Sequence, residues 1–345
     1  MISTYKFEYS HTVGFLANQG RGFNNPVDLA FDEHGLMYVL NRAGPEVGIR
    51  LPYKRITICN ANEDYLGEFG AGGQGDGDLW WPSSIAISKD HRIFVADEAL
   101  NRVTVFDMKG QFLNKWGVKG GREGEFNRIS YIAFDSEDNL LVSDSLNNRI
   151  QLFDKDGHVI NVWGIPGVED GCFNMPWGVC VDKGGNIYVA DWRNDRIQKF
   201  DSSGQFIRKW DSDHLATVKF NRPASLAVDS ELNIYVADWG NERVIVIDQE
   251  GTLIAEIYGD SMPSKWALDY FDANPVEYEE RLNSDLDTEF TTGPTGLRHK
   301  SARIEKLLWG PTAIQLDSES RVFIVDSCRH RVQIYNPLSP QQSEL

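Results

Sequence analysis

Five aspartates, Asp97, Asp144, Asp191, Asp238 and Asp326, are each followed five residues later by an arginine: Arg102, Arg149, Arg196, Arg243 and Arg331. A carboxylate beside a guanidinium could serve acid–base chemistry or hold an anion. Repetition argues for a structural use, because one active site does not need five copies. The aspartate is expected to cap a turn and the arginine to brace it. Residues that break the pattern are better candidates for chemistry. Asp28, Tyr131 and His330 could form an acid–base set, with the histidine titrating near neutral pH. Arg50, Arg298 and His299 could hold an anion, and Trp177, Trp192 and Trp239 could supply an apolar wall beside it.

These residues are placed by a repeat. The segments 95–107, 142–154, 189–201 and 236–248 align on sight, and their aspartates are spaced by 47 residues each time. A fifth copy spans 324–336, and a degenerate sixth starts at Tyr38 and resumes at Arg55. Each unit opens on a proline (Pro26, Pro82, Pro176, Pro223, Pro311), with Ile129 standing in once. Four short runs rich in Val, Ile, Tyr and Phe follow, separated by Gly, Asn and Asp, so each unit is four strands. Units of 40–50 residues with four strands are the mark of propeller blades. The run from Tyr5 to Val13 is a fourth strand without a first three, and the C-terminal unit has three strands followed by Pro337 and Pro340. The N-terminal strand is therefore expected to complete the last blade. The fold class is all-β, a six-bladed β-propeller forming a single domain over 1–345.

The run from Gly171 through Pro176, Asp191 and Arg196 to Trp210 resembles the NHL repeat, and the resemblance recurs six times along the chain. It implies the propeller fold and leaves the activity open, since such propellers include peptide-amidating lyases, sensor domains and protein- and RNA-binding modules. The lyases hold zinc with three histidines, one in the loop after a second strand, where His330 sits, and two after the blade-opening proline. The corresponding positions here are Val27, Ser83, Ser130, Trp177, Ala224 and Thr312. Zinc needs three or four convergent ligands, so no metal site is expected. Backbone carbonyls in the channel could still hold calcium, and the cofactor is left open. Tryptophans 116, 163 and 210 recur at blade period and read as packing residues.

The repeat is broken in three places. Blade 1 carries nine extra residues between Asn41 and Arg55, the loop that contains Arg50. A second insertion, 260–307, adds 40 residues between blades 5 and 6. Trp266, Tyr270 and Phe271 fall in it at helical spacing. The third departure is the loop Cys328-Arg329-His330. Loops after second strands and links between blades emerge on one face, so all three lie over one side of the ring's mouth, with 260–307 as a lid.

The expected function is binding of a small anionic or amphipathic ligand, or a peptide end, in that lidded pocket. A lyase- or hydrolase-type enzyme in the same pocket and a protein-interaction scaffold are the alternatives. Net charge is −17, from 51 acids against 34 bases, which argues against nucleic acid and anionic membranes as partners. No apolar run is long enough for a membrane span. The N-terminus has no basic region followed by an apolar one, and the four cysteines show neither CxxC nor zinc-finger spacing. A cytoplasmic protein with reduced thiols, monomeric or weakly oligomeric, is the expectation.

Overall fold

The computed structural model describes residues 7–43, 53–215, 217–286 and 296–338. Six four-stranded antiparallel sheets make up the body. Their first strands, Pro26–Phe31, Pro82–Ile87, Ile129–Phe134, Pro176–Val181, Pro223–Val228 and Pro311–Leu316, abut one another around a central channel. Blades 1 to 5 run outward in chain order. In blade 6 the outermost strand is Phe7–Val13, paired antiparallel with Arg331–Pro337. A ring whose ends share a sheet leaves no blade face exposed. The core lies between blades: Phe94, Phe126 and Phe153 pack with Ala96 and Val142 across blades 2 and 3, for example.

The repeated aspartate and arginine do more than close their own turn. Asp191 is fully buried, and its Oδ1 accepts the backbone N–H of Asn174 at 2.7 Å, in the link that enters the blade. Its Oδ2 accepts from Arg196 Nε at 2.8 Å. The same arginine donates to the carbonyls of Val168, Glu169 and Cys172 in that link. Asp144 with Arg149 and Asp326 with Arg331 repeat the arrangement. Each pair clasps an irregular link whose buried backbone groups would otherwise lack partners. In blade 1, Asn41 replaces the aspartate. Its Oδ1 accepts from Asn24 N–H at 2.8 Å, while Arg55 keeps the bonds to the carbonyls of Ala17 and Gly22.

The clasp also explains how the second insertion is carried. Arg331 donates to Asp260 O at 2.7 Å and to Glu305 O at 3.1 Å, so both ends of the insertion are held at one guanidinium. Between them lie three helices: α1 (Lys265–Ala273), α2 (Pro275–Leu282) and α3 (Leu297–Arg303). Helix α1 starts where Ser264 Oγ accepts from Ala267 N–H, a serine N-cap.

Part of this segment does not lie over the mouth. In blades 1 to 4 the fourth strand ends in an aromatic (Phe69, Trp116, Trp163 or Trp210), which packs on the turn of the next blade. The turn carries glycine there: a Cβ on Gly157 would come within 2.6 Å of Trp116, and one on Gly204 within 2.6 Å of Trp163. Blade 6 ends in the smaller Val13, and the facing turn of blade 1 carries Glu63 at φ 63°. Trp266 of α1 fills the gap. It is 3% exposed, donates from Nε1 to Glu63 O at 2.7 Å and meets Phe23 edge-on at 5.9 Å. The first half of the insertion is thus a wedge in the seam where the ring closes.

Two measurements test this account by urea unfolding. Arg196→Ala leaves the buried Asp191 without its counter-charge and should cost about 3–5 kcal/mol; a loss under about 1 kcal/mol would contradict the clasp. Trp266→Ala empties the closing wedge and should cost about 3–5 kcal/mol, whereas an unchanged midpoint would show that α1 contributes nothing to the seam.

Candidate functional site

The structure brings Asp28 and Tyr131 together. Both start on first strands, Asp28 in blade 1 and Tyr131 in blade 3, and their side chains meet across the channel. Tyr131 donates its hydroxyl proton to Asp28 Oδ1 at 3.1 Å. The Tyr131 hydroxyl oxygen in turn accepts from Ser225 Oγ of blade 5 at 3.2 Å and from Gln315 Nε2 of blade 6 at 3.3 Å. Asp28 Oδ2 accepts from Ser84 Oγ at 2.6 Å and from Ile85 N–H at 3.0 Å, both in blade 2. One phenol thus ties four blades, and the carboxylate is saturated. Burial pushes the Asp28 carboxyl up to about 6 against its hydrogen bonds, and burial followed by the Asp28 charge holds the Tyr131 phenol well above its ordinary range. Beyond this plug, toward the opposite face, an open cavity of about 370 Å³ has apolar walls that include Phe31, Phe134 and Leu316.

His330 goes elsewhere. It sits at φ 57°, and its Nδ1 accepts from the backbone N–H of Asn25, the residue before the proline of blade 1, at 3.0 Å. Asn101, Asn148 and Asp195 occupy the same place in other blades. Their Oδ1 atoms accept from the N–H of the residue before the first strand, Arg128, Met175 and Arg222, at 2.7–2.8 Å. The imidazole is therefore the blade 6 copy of a latch between neighbours. A backbone N–H can only donate, so this histidine is neutral with its proton on Nε2. Burial lowers its pKa, in keeping with that state.

On the face where the links emerge, three of the sequence candidates form a ledge. Trp177 opens the first strand of blade 4, next to a bulge that takes it off the ladder. Trp192 and Trp239 start the single-turn 3₁₀ segments after the aspartates of blades 4 and 5. Ring centroids are 5.2 Å apart for Trp177 and Trp192, and 6.2 Å for Trp192 and Trp239. All three indoles are half-buried. Arg298 of α3 lies over Trp239 at 4.7 Å, but its Nη1 is held by Glu242 at 2.6 Å. It was expected to be free for an anion; the nearly inaccessible Glu242 carboxylate has taken that charge instead. His299 is exposed on α3 and makes no ring contact with the three tryptophans among the described residues. Arg50 lies outside the described residues. Arg329 donates to Ser301 O and Ile304 O at 2.7 Å each, which anchors the second half of the insertion to this face.

The cations that sequence reading missed are Arg222 and Arg193. Their guanidiniums lie 4.9 Å and 5.9 Å from the Trp192 ring, and among the described residues neither has a carboxylate partner. Arg222 sits just before a blade-opening proline. Comparing that position in every blade (Asn25, Trp81, Arg128, Met175, Arg222, Gly310) would have brought it forward together with Arg128, because the position carries no part of the repeat's grammar. Among the described residues no group of three or more His, Cys, Asp or Glu could hold a metal.

The plug has a pH signature. The Asp28 pKa is raised to about 6 in the folded state, against about 3.9 unfolded. The folded protein then binds the extra proton, so this group favours folding fully below about pH 4 and that contribution is lost as pH rises through about 6. Two units correspond to about 3 kcal/mol. Urea unfolding of wild type and Asp28→Asn across pH 4 to 7 should show a difference that shrinks by about that amount; parallel curves would overturn the assignment.

The sequence and fold were compared with known proteins. The NHL repeat family matches residues 173–200 and 220–247, and a family described as a 6-bladed beta-propeller matches 79–176. No curated protein matches the chain in sequence. Among solved structures, virginiamycin B lyase from Staphylococcus aureus with quinupristin is 14% identical at a TM-score of 0.56, covering 97% of this chain and 100% of the lyase. A protein of unknown function from Bacteroides caccae is 16% identical at a TM-score of 0.52, over 67% of this chain and 81% of that one. The WD40 propeller domain of Doa1 is 14% identical at 0.54, over 92% and 80%. At such identities these structures share the fold with this chain and nothing more specific. The chain is a six-bladed β-propeller closed in a ring, with NHL repeats matched over residues 173–200 and 220–247.

Proposed function

We propose that the protein is a binding module whose ligand carries an anionic group on a flat apolar body, as an aromatic carboxylate or an acidic peptide end does. The ligand lies along the tryptophan ledge of blades 4 and 5, with α3 of the insertion as its outer wall. The observation that carries this reading is the ledge itself: three contiguous half-buried indoles, with two guanidiniums over the middle one that have no carboxylate partner among the described residues. Indole faces exposed side by side leave apolar area that a flat ligand can cover. A guanidinium at an indole face keeps its edge for a carboxylate or phosphate. In an acidic protein such a patch is also where the field turns favourable for an anion. The buried Asp28 and Tyr131 contribute as the floor that holds the blades in register, since their hydrogen bonds are already made within the protein.

Quenching of tryptophan fluorescence by phenylacetate, with phenylacetamide as the uncharged control, tests the reading. Binding of the acid should exceed that of the amide. Trp192→Ala or Arg222→Glu should each weaken it about tenfold, the equivalent of about 1.4 kcal/mol. Equal affinities for acid and amide, or unchanged affinity in both variants, would remove the ledge as the site.

A further inference from the structure

A second cationic hollow lies on the same face, over blades 2 and 3. It is an open cavity of about 430 Å³, walled by Trp81, Ala99 and Leu146, with Lys119, Arg128 and Glu98 as its charged lining. Its chemistry is set by Arg42, which occupies in blade 1 the place that Trp192 and Trp239 hold in blades 4 and 5. The Arg42 guanidinium lies on the Trp81 ring at 4.0 Å, and its Nη2 donates to Glu98 at 2.8 Å. Arg128 contacts the other oxygen of Glu98. One carboxylate is therefore shared between two guanidiniums. Lys54 adds a third cation, 5.8 Å from the Trp81 ring, with its Nζ on Arg42 O at 2.7 Å.

The hydrogen-bond count points one way. Arg42 Nε and Trp81 Nε1 are buried donors without an acceptor. Arg128 is half-exposed at the rim, and Lys119 is exposed beside it. The accessible charged donors of the cavity are those of Arg128 and Lys119 at its rim, and its charged acceptor, Glu98, is already occupied. Crowded cations in a poorly hydrated place raise the local potential: burial, with Arg128 adding to it and Asp97 opposing, lowers the Arg42 pKa to about 9, and burial with Arg42 lowers that of Lys54. Donors without acceptors beside an apolar floor select an acceptor-only, negatively charged group on a flat body.

We propose that this hollow is a second binding site, for an oxyanion on an aromatic or similarly flat group, gripped by Arg128 and Lys119 above the Trp81 ring. It is separate from the tryptophan ledge, so the face would take two such groups, on two small molecules or at two points of one acidic chain.

Isothermal titration calorimetry with phenyl phosphate and with benzoate tests the inference, using wild type, Arg128→Gln/Lys119→Gln and Trp192→Ala. The first two substitutions sit at the rim, and Glu98 keeps Arg42 as partner, so the fold is retained; circular dichroism checks this. Wild type should bind two equivalents of phenyl phosphate, benzoate showing whether a carboxylate serves as well. The rim variant should lose one of the two equivalents, or weaken it at least tenfold, and keep the one that Trp192→Ala removes. A Trp81→Phe variant, which shrinks the apolar floor and removes the unpaired N–H, should weaken the same equivalent. A single equivalent abolished by Trp192→Ala alone would overturn the second site while leaving the ledge standing. Two equivalents unaffected by the rim variant would overturn it equally.

Discussion

Blades 3 to 6 of this ring each hang on a buried aspartate that faces two ways. One oxygen takes a backbone N–H from the link entering the blade, and the other takes an arginine whose remaining donors saturate the carbonyls of the same link. The link is irregular chain packed against sheets, so its polar groups would be costly to leave unmade. An ion pair fully out of water is seldom a net gain over apolar packing. Here it is retained because the arginine fork supplies several donors in a fixed geometry where no strand can. The clasp also decouples the ring from what the link carries. Arg331 holds Asp260 and Glu305 as Arg196 holds Val168 and Glu169, although three helices are spliced between the first two.

That decoupling explains where the molecule varies. Positions bound by the clasp stay Asp and Arg apart from Asn41 in blade 1, while the residue directly after them is free. It is Glu98, Ser145, Trp192, Trp239 and Ser327 in blades 2 to 6, and Arg42 in blade 1. Around one ring this position changes from charged to aromatic, so the two sides of a single face acquire different chemistry on a common scaffold. The axis is treated differently. There Tyr131 reaches blades 5, 6 and 1 at once, and the channel is closed by side chains whose hydrogen bonds are all internal.

The fold was legible because blade period, opening prolines and strand alternation report local geometry directly. The ledge was legible in part: Trp177, Trp192 and Trp239 stood out as departures from the repeat, and they do meet. Other roles depended on partners far away in the chain. His330 looked like a proton shuttle, yet aligning it with Asn101, Asn148 and Asp195 marks it as an acceptor in a latch. Trp266 was read as part of a lid from its helical spacing. The signal for its true seat is the absence of an aromatic at Val13 and of a glycine at Glu63, a pair of local defects with one remote remedy. No sequence pattern couples Arg298 to Glu242, or Asp28 to Tyr131 across the channel, because those contacts exist only once the ring has closed.

The proposed ligand chemistry is confined to the face built on these departures. The most direct test is the indole region of a ¹H–¹⁵N correlation spectrum, which holds one signal for each of the ten tryptophans, recorded while phenylacetate is added. The account predicts that the signals of Trp177, Trp192 and Trp239 shift together along one binding curve while those of Trp116, Trp163, Trp210 and Trp266 stay in place. Shifts confined to the packing tryptophans, or spectra unchanged at saturating ligand, would contradict it.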